Sequence, residues 1–366
     1  MSPVRNVLAL ALALLAGGAP VTIPRIDLKH IDRSIDPCTD FDAYANGAWR
    51  SRNPIPAGSQ RWSLRTAARE TNREQLKALL EELAAKAVQP RGSVEQHLGD
   101  FYGACMDEPA IDTAGVTPLA PLLADIAAVQ DAQGIQGMIR RLHELAVPAP
   151  FVVTAASDYH DPEAVAMNIA AGGLGLPGRD YYLKQEPQFV EAREKYRRHV
   201  SILLTLGGMP AVPAAKAADE ILALETRLAE ASLAPALAAD PAATAHRFTF
   251  AQLKELAGHF DWESYFTEAA VPRIDVNVAE PAFLERVNQE LKATSVTTWK
   301  AYLMLHLLES ASPWLSKPFV LESFDFKDKY LGGATAMKPR AMRCVESTEA
   351  LLGEPLGRAY AARYFP

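Results

Sequence analysis

The histidines are the first residues whose type and spacing could support catalysis. His143 and Glu144 begin like the motif H-E-x-x-H, in which two histidines one helical turn apart bind a metal ion and the glutamate acts as general base. The second histidine position holds Val147, and Pro148 ends the helix. The other histidines occur singly, with no pair at the spacing of a helical ligand pair. We therefore expect His143 to be a surface or capping residue and predict no metal ligands in this chain.

Three glycines match the formal pattern G-x-G-x-x-G of a phosphate-binding loop, namely Gly173, Gly175 and Gly178. Such a loop follows a buried strand and opens a helix, so that backbone amides meet the phosphate. Residues 179–182, Arg-Asp-Tyr-Tyr, instead favour a turn, and we expect a glycine-rich turn without a nucleotide. No Walker loop and no G-x-S-x-G nucleophile motif occurs. The sequence therefore predicts no catalytic residues.

The three cysteines, Cys38, Cys105 and Cys344, are too few and too widely spaced for a cysteine-rich zinc site. In an exported protein, an odd number of cysteines leaves one thiol without a partner in the chain. The residues alone leave the pairing among the three open.

The composition is typical of a globular protein. The 366 residues suggest about two domains. Hydrophobic residues make up 49% and charged residues 22%, which excludes a disordered chain and a polytopic membrane protein. The net charge is −7, and the nearest basic clusters are the pairs Arg140-Arg141 and Arg197-Arg198. We therefore expect no nucleic-acid partner, because phosphate neutralisation needs a larger basic surface.

The first twenty residues have the layout of a secretory signal peptide. Arg5 precedes an apolar run over residues 7–16, which is followed by small residues and Pro20. As a helix, this run rises only about 15 Å, half the thickness of the hydrocarbon core of a bilayer. We predict a signal peptide over residues 1–19 and export to the periplasm or the extracellular space. An uncleaved N-terminal anchor extended to Ile23 is the alternative.

Most of the remaining chain carries the periodicity of amphipathic helices. The clearest apolar stripes are Leu76, Leu79, Leu80 and Leu83, then Leu98, Phe101 and Tyr102, then Ile221, Leu224 and Leu228. Only residues 151–155 and 164–170 favour strands, and together they predict one hairpin. The Ala/Pro-rich stretches 208–218 and 234–245 predict loops. The expected fold is mainly α, a multi-helix lobe with a small β-hairpin.

Several long segments carry a more specific signal than any of these motifs. They are IDPCTDFDAYANGAWRSRNPIPA at 35–57, GDFYGACMDE at 99–108, AGGLGLPGRDYYL at 171–183 and LLGEPLGRAYAARYFP at 351–366, with further matches at 219–232, 240–253 and 260–266. In this order and spacing they resemble the neprilysin family of zinc metallopeptidases. The resemblance covers essentially the whole chain after the predicted signal peptide.

The resemblance is confined to the N-terminal half of the family's pattern. The substrate-binding Asn-Ala pair, the H-E-x-x-H helix and the downstream glutamate of the zinc site should follow Pro366. In such relatives the N-terminal half forms a largely helical lobe, which faces the catalytic lobe across a chamber and limits substrates to peptides. The resemblance therefore implies the N-terminal half of a two-lobed fold. It implies no cofactor in this chain, but zinc, oligopeptide substrates and a C-terminal catalytic domain for the full-length enzyme.

The same resemblance suggests a division of the chain. Residues 20–64 would pack toward the catalytic lobe, residues 65–255 would form the helical substrate-enclosing lobe, and residues 256–366 would lead to the catalytic domain.

The resemblance also assigns roles to single residues. Arg61 matches an arginine that can hold the C-terminal carboxylate of a substrate, a role suited to the guanidinium fork. An ordinary surface salt bridge is the alternative. Cys105 and Cys344 match cysteines that form a disulfide in some relatives, with buried free thiols as the alternative. Cys38 matches a cysteine whose partner lies near the C-terminus of the complete enzyme.

Two functions follow as hypotheses. The first is the N-terminal region of a secreted zinc metalloendopeptidase that hydrolyses oligopeptides, inactive by itself because it lacks the zinc site. The second is a peptide-binding or partner-binding module without catalysis. Peptidase activity is thus an expectation for the full-length enzyme and not for these residues alone.

Overall fold

The computed structural model describes residues 27–86, 88–159, 161–271 and 274–365. The predicted signal peptide, residues 1–19, lies outside the described residues. Internal contacts divide the chain into two compact units, one up to Thr71 and one from Asn72 onward.

The structure is dominated by α-helices, which confirms the predicted mainly α fold. The helices are α1 (Phe41–Arg52), α2 (Leu64–Ala85), α3 (Val94–Met106), α4 (Glu108–Ala114), α5 (Ala120–Ala128), α6 (Ala132–Glu144), α7 (Arg179–Leu183), α8 (Pro187–Leu206), α9 (Ala211–Ala231), α10 (Pro235–Ala238), α11 (Pro241–Thr244), α12 (Phe250–Leu256), α13 (Trp262–Glu268), α14 (Pro281–Ala293), α15 (Val296–Ala311), α16 (Lys317–Ser323), α17 (Arg340–Leu351) and α18 (Gly353–Tyr364). The strands are β1 (Phe151–Ser157), β2 (Val165–Ala171), β3 (Arg247–Phe248) and β4 (Val276–Val278). Short 3₁₀ segments lie at Leu28–His30, Thr117–Leu119 and Ser312–Trp314, and a π-helical segment at Phe324–Leu331.

The first unit contains α1, whose N-terminus is capped by the side chain of Asp40. The Asp40 carboxylate accepts a hydrogen bond from the backbone N–H of Ala43 at 2.8 Å, which satisfies one of the free amides of the first turn. At the other end, Arg52 donates to the carbonyl of Lys29 at 2.7 Å. This bond fixes α1 to the 3₁₀ segment before it.

The second unit is built around one large apolar core, to which α5–α9, α12–α16 and the sheet contribute. Helix α15 lies at its centre and is buried nearly all round, with Trp299, Tyr302 and Leu305 all fully buried. Leu253 and Ala257 both belong to this core. The core therefore continues across position 255, the predicted end of the helical substrate-enclosing lobe. The predicted boundaries of the three regions remain predictions.

Two of the predicted loops are wrong. Residues 211–218 form the first two turns of α9, and most of residues 235–244 lie in the short helices α10 and α11. Alanine has the highest helix propensity, and a proline in the first turn needs no intrahelical N–H partner, so Pro213 is compatible with α9. The Ala/Pro composition was interpreted as loops between helices, whereas it lies in the first turns of helices.

The sheet has four strands in the order β1-β2-β4-β3. The antiparallel pair β1 and β2, with Phe151 opposite Ala171, confirms the predicted hairpin. Strands β3 and β4 were not predicted, because two or three residues are too few to show alternation. One face of the sheet carries Phe151, Ile169 and Val276 into the main core.

A second, smaller apolar cluster joins α2 and α3 to α17 and α18. These helices are distant in sequence, near the start and the end of the second unit. Its fully buried members include Leu80, Leu98 and Val345. The predicted stripe Leu76 to Leu83 is confirmed as the face of α2 that enters this cluster. A hydrogen bond of 2.6 Å from the Tyr360 hydroxyl to Gln75 borders the same contact.

Within the described residues, no single helix is long and apolar enough to cross a membrane. One bent pair, Glu108–Ala114 with Thr117–Ala128, reaches the required length and apolar composition when both helices are counted together.

Candidate functional site

The glycine-rich loop follows β2, and its glycines make room for buried tyrosines. A Cβ atom on Gly173 would lie 1.9 Å from the hydroxyl oxygen of Tyr302, and one on Gly175 would lie 2.0 Å from that of Tyr196. Gly173 also has a positive φ of +63°, which favours glycine. The short helix α7 begins directly after Gly178, so the expected plain turn at residues 179–182 is wrong.

The amides of this loop point toward protein groups. The N–H of Gly175 donates to Glu225 Oε2 at 3.4 Å, and the N–H of Leu176 donates to the Tyr182 hydroxyl at 2.9 Å. The hydroxyls of Tyr182 and Tyr196 donate to the two oxygens of Glu225 at 2.7 and 2.8 Å. The carboxylate of Glu225 thus accepts hydrogen bonds from the loop amide of Gly175 and from both tyrosine hydroxyls, and the loop is packed against protein groups.

Glu225 belongs to a cluster of buried polar groups. Its side chain has no exposed surface, and His306 Nε2 lies 3.5 Å from its Oε1. Nearby, His199 is held between Glu309 at 3.3 Å and Glu322 at 2.9 Å. Glu225, His199, His306 and Glu309 are buried in the main core, and Glu322 on α16 is partly exposed, so the cluster links α8, α9, α15 and α16 to one another.

The electrostatics of the cluster favour charged side chains. Burial alone lowers the pKa of His199, but its hydrogen bonds with Glu309 and Glu322 outweigh burial and raise that pKa. Burial alone raises the pKa of Glu309, but the hydrogen bond with His199 and the charge of Lys327 hold it at about 2. Sequence periodicity did not reveal this cluster, because its polar members occupy positions within apolar helix faces.

His143 lies inside the second unit as a bridge, which corrects the expectation of a surface or capping residue. Its Nδ1 is 2.8 Å from the Tyr265 hydroxyl, and its Nε2 is 3.1 Å from the carbonyl oxygen of Ala149. Burial lowers the pKa of His143 to about 4, so the ring is neutral at pH 7. Glu144 pairs with Arg140. Both ring nitrogens of His143 are therefore engaged, and the ring has no free nitrogen for a metal.

The residues present do not form a zinc site. In the described part of the chain, no group of three or more His, Cys, Asp or Glu side chains is arranged to hold a metal ion. The zinc implied by the family resemblance therefore finds no ligand set among these residues.

Arg61 lies in the loop between α1 and α2, in the first unit, with its side chain exposed. It forms no hydrogen bond or ion pair with any of the described residues, so the surface salt bridge weighed as its alternative is not present among them. Its role toward a substrate carboxylate stays a prediction.

The cysteines separate into a pair and a single residue. Cys105 on α3 and Cys344 on α17 are placed as a disulfide, with sulfur atoms 2.05 Å apart and Cα atoms 5.8 Å apart. Cys38, in the first unit, is exposed and has a free sulfur. The structure thus brings together the two cysteines whose counterparts pair in some relatives.

Comparison with known proteins places the chain in a family. Residues 37–366 match the sequence profile of peptidase family M13. The chain belongs to this family. The M13 chain is 26% identical to endothelin-converting enzyme 1 of Bos taurus over 359 residues, which is 95% of the chain and 47% of that relative. It is 27% identical to endothelin-converting enzyme-like 1 of Mus musculus over 353 residues, 92% of the chain and 45% of that relative. The M13 chain thus spans about half the length of the curated relatives it matches.

Solved structures agree with this assignment. The crystal structure of the zinc metalloprotease Zmp1 of Mycobacterium tuberculosis with an inhibitor has a TM-score of 0.83 and 29% identity, covering 93% of the M13 chain and 52% of Zmp1. PepO of Lactobacillus rhamnosis, at 17% identity and a TM-score of 0.77, shares the fold over 89% of the M13 chain and 51% of its own length. The predicted family and fold class are confirmed.

Proposed function

We propose that this M13 chain is the N-terminal, substrate-enclosing region of a neprilysin-type zinc endopeptidase that hydrolyses oligopeptides. The match of residues 37–366 to the family profile, in register with about half of each relative, carries the proposal. A helical unit built around a large apolar core suits a wall that admits flexible peptides and excludes folded proteins. Zinc and the catalytic residues belong to the C-terminal region of such an enzyme.

The chain by itself is proposed to have no peptidase activity. The only H-E pair in its sequence, at positions 143 and 144, lacks the second histidine, and His143 is engaged within the protein. Arg61 is proposed to hold the C-terminal carboxylate of a substrate in the complete enzyme.

Export to the periplasm or the extracellular space is part of the proposal. The predicted signal peptide over residues 1–19 supports it, as does the disulfide arrangement of Cys105 and Cys344, since disulfides persist in oxidising compartments.

The gene itself gives the first test. Sequencing through and beyond the codon for Pro366 is expected to show an open frame that continues into an Asn-Ala motif, H-E-x-x-H and a downstream glutamate. A stop codon directly after Pro366 would overturn the proposed peptidase for this polypeptide.

A second test uses the purified chain of 366 residues. Elemental analysis is expected to find no stoichiometric zinc, and no quenched oligopeptide should be cleaved. One zinc per chain, or peptidase activity that a chelator abolishes, would contradict the assignment of catalysis to the C-terminal region. A monomeric chain with peptide affinity whose gene ends at Pro366 would favour the alternative, a binding module without catalysis.

A further inference from the structure

His199 of α8 lies between two carboxylates that come from other helices. Its Nε2 is 3.3 Å from Oε1 of Glu309 on α15, and its Nδ1 is 2.9 Å from Oε1 of Glu322 on α16. The side chains of His199 and Glu309 are 1% and 8% exposed, whereas that of Glu322 is 20% exposed. Glu322 is therefore the one of these three groups with the most access to water.

The number of N–H donors in these contacts determines the protonation state of the histidine. A neutral imidazole donates from one ring nitrogen and carries a lone pair on the other, whereas an imidazolium donates from both. An ionised carboxylate only accepts, so a neutral His199 would place a lone pair against one of the two carboxylates. Both contacts are therefore hydrogen bonds only while His199 is charged. Burial disfavours that charge, but the hydrogen bonds with Glu309 and Glu322 outweigh burial and raise the pKa of His199 above 6.5.

The two carboxylates differ in what remains beside them when His199 loses a proton. Oε2 of Glu309 is 3.5 Å from Nζ of Lys327, on the π-helical segment. Burial alone raises the pKa of Glu309, but the hydrogen bond with His199 and the charge of Lys327 hold it at about 2, so this carboxylate stays ionised in the neutral range. Among the described residues, Glu322 has no charged partner besides His199. Loss of the proton therefore leaves Glu309 paired with Lys327 and leaves Glu322 unpaired.

Other titratable groups near His199 have partners of their own. His306 of α15 has its Nε2 3.5 Å from Oε1 of Glu225 on α9, and two tyrosine hydroxyls also donate to Glu225. On the π-helical segment, Asp325 and Lys329 form an exposed pair at 3.5 Å. None of these four groups forms a hydrogen bond or ion pair with His199, whose ring nitrogens meet only Glu309 and Glu322. The charge on His199 therefore acts most directly on those two carboxylates.

A second contact of His199 reaches the same stretch of chain as Glu322. Helix α16 continues directly into the π-helical segment, so residues 317–331 form one helical stretch. Phe326, within it, stacks on the His199 ring, with the ring centroids 4.4 Å apart and the planes 19° apart. A cation over the face of an aromatic ring is attracted to it, so the charge on His199 strengthens this contact too. Both contacts between His199 and residues 317–331 therefore weaken when the ring becomes neutral.

We propose that His199 is a pH-sensitive switch that holds residues 317–331 against α8 while both of its ring nitrogens are protonated. As the pH rises, the proton on Nδ1 passes to hydroxide in the solvent and forms water. The lone pair left on Nδ1 then faces the Glu322 carboxylate, which turns toward the water that it already contacts. Residues 317–331 keep their buried apolar contacts but open more often. The inference does not rest on the proposed peptidase, since the switch is measured on this chain alone.

The direction of the pH dependence follows from the raised pKa of His199. The folded chain binds this proton more tightly than the unfolded chain does, so the proton stabilises the folded state. Its stabilising effect is complete below about pH 6.5 and is lost as the pH rises through the pKa of His199 in the folded chain. Residues 317–331 are therefore expected to be best protected in mildly acidic solution.

An NMR titration of the purified chain tests the protonation state. With histidines labelled with ¹³C at Cε1, the signal that is absent from His199→Gln belongs to His199. Its midpoint is expected above pH 6.5 in the wild type and lower in Glu322→Gln, because the glutamine amide donates to a neutral Nδ1 and makes the second ring proton unnecessary. A midpoint at or below pH 6.5, or the same midpoint in Glu322→Gln, would overturn the proposal.

Hydrogen exchange measured by mass spectrometry tests the effect on residues 317–331. Wild type and Glu322→Gln are compared at the same pH, which cancels the pH dependence of chemical exchange. From pH 6 to pH 9, the protection of the wild type relative to Glu322→Gln is expected to fall by up to about tenfold for each pH unit by which the pKa of His199 lies above 6.5. His97→Gln, which changes an exposed histidine on α3, is the matched control and should exchange as the wild type does. A relative protection that stays constant with pH would refute the switch, and this result decides alone if His199→Gln does not fold.

Discussion

Replacing Gly175 with alanine tests whether the glycine-rich loop is a packing feature. The added Cβ would lie 2.0 Å from the Tyr196 hydroxyl oxygen and 2.4 Å from the ring carbon Cζ. Tyr196 is fully buried, and its hydroxyl is bonded to Glu225 at 2.8 Å. The ring therefore moves only by giving up this hydrogen bond and disturbing its neighbours.

The magnitude follows from these two losses. A hydrogen bond to a charged group contributes about 1.5–3 kcal/mol to stability. Overpacking a well-packed core costs about 1–3 kcal/mol. Gly175→Ala is thus expected to lower the free energy of unfolding by roughly 2.5–6 kcal/mol. Gly178→Ala is the matched control in the same loop, because nothing lies within 4 Å of its Cβ position and its φ of 167° is extended. It should change stability by less than about 1 kcal/mol.

Guanidinium unfolding followed by circular dichroism provides the assay, with the stability difference taken from the shift in midpoint at constant slope. Tyr196→Phe alone is expected to cost about 1.5–3 kcal/mol, since it removes only the hydroxyl. The double variant Gly175→Ala/Tyr196→Phe loses this hydrogen bond only once. Its loss of unfolding free energy should therefore be smaller than the sum of the two single losses by about 1.5–3 kcal/mol. Equal midpoints for the two glycine variants, or costs that add within about 0.5 kcal/mol, would refute the packing argument.

Two further predictions concern the disulfide and the buried charges. Cys344→Ser removes a link between residues 239 positions apart and is expected to lower stability by about 2–5 kcal/mol, measured by thermal unfolding, whereas Cys38→Ser should unfold as the wild type does. An unchanged unfolding temperature in Cys344→Ser would show that the link contributes nothing. Because the pKa of Glu309 is held at about 2 in the folded chain, its stabilising effect is complete above about pH 4.5 and is lost as the pH falls toward 2. The difference in unfolding temperature between wild type and Glu309→Gln should therefore shrink from pH 6 to pH 2, and a constant difference would contradict this account.

The sequence predicted a helix correctly where its apolar residues form one stripe that packs against one core. Leu79, Leu80 and Leu83 lie buried on one face of α2 as their spacing indicates. The prediction failed at Ala211 to Ala218, because alanine pairs a small apolar side chain with high helix propensity and gives no contrast between faces. It also failed for β4, whose three residues are held in the sheet by partners that are distant in sequence.

The candidate sites were less predictable, because their contacts join residues that the sequence separates widely. His143 is engaged by Tyr265, which lies 122 positions later, so its local motif gave no indication of a buried bridge. Gly175 faces Glu225 across 50 positions. Arg340 donates to the carbonyl oxygen of Cys105, 235 positions earlier, a contact that the residue spacing on α17 does not indicate.

The disulfide between α3 and α17 has a consequence for synthesis. The residues between Cys105 and Cys344 take a ribosome roughly 12–50 s at about 5–20 residues per second. During that interval the apolar face of α3, which includes Leu98, cannot pack against its partners on α17. The thiol of Cys105 meanwhile shares the nascent chain with that of Cys38, which emerges earlier. Before Cys344 has been made, Cys38 is the only other cysteine of the chain with which Cys105 could pair.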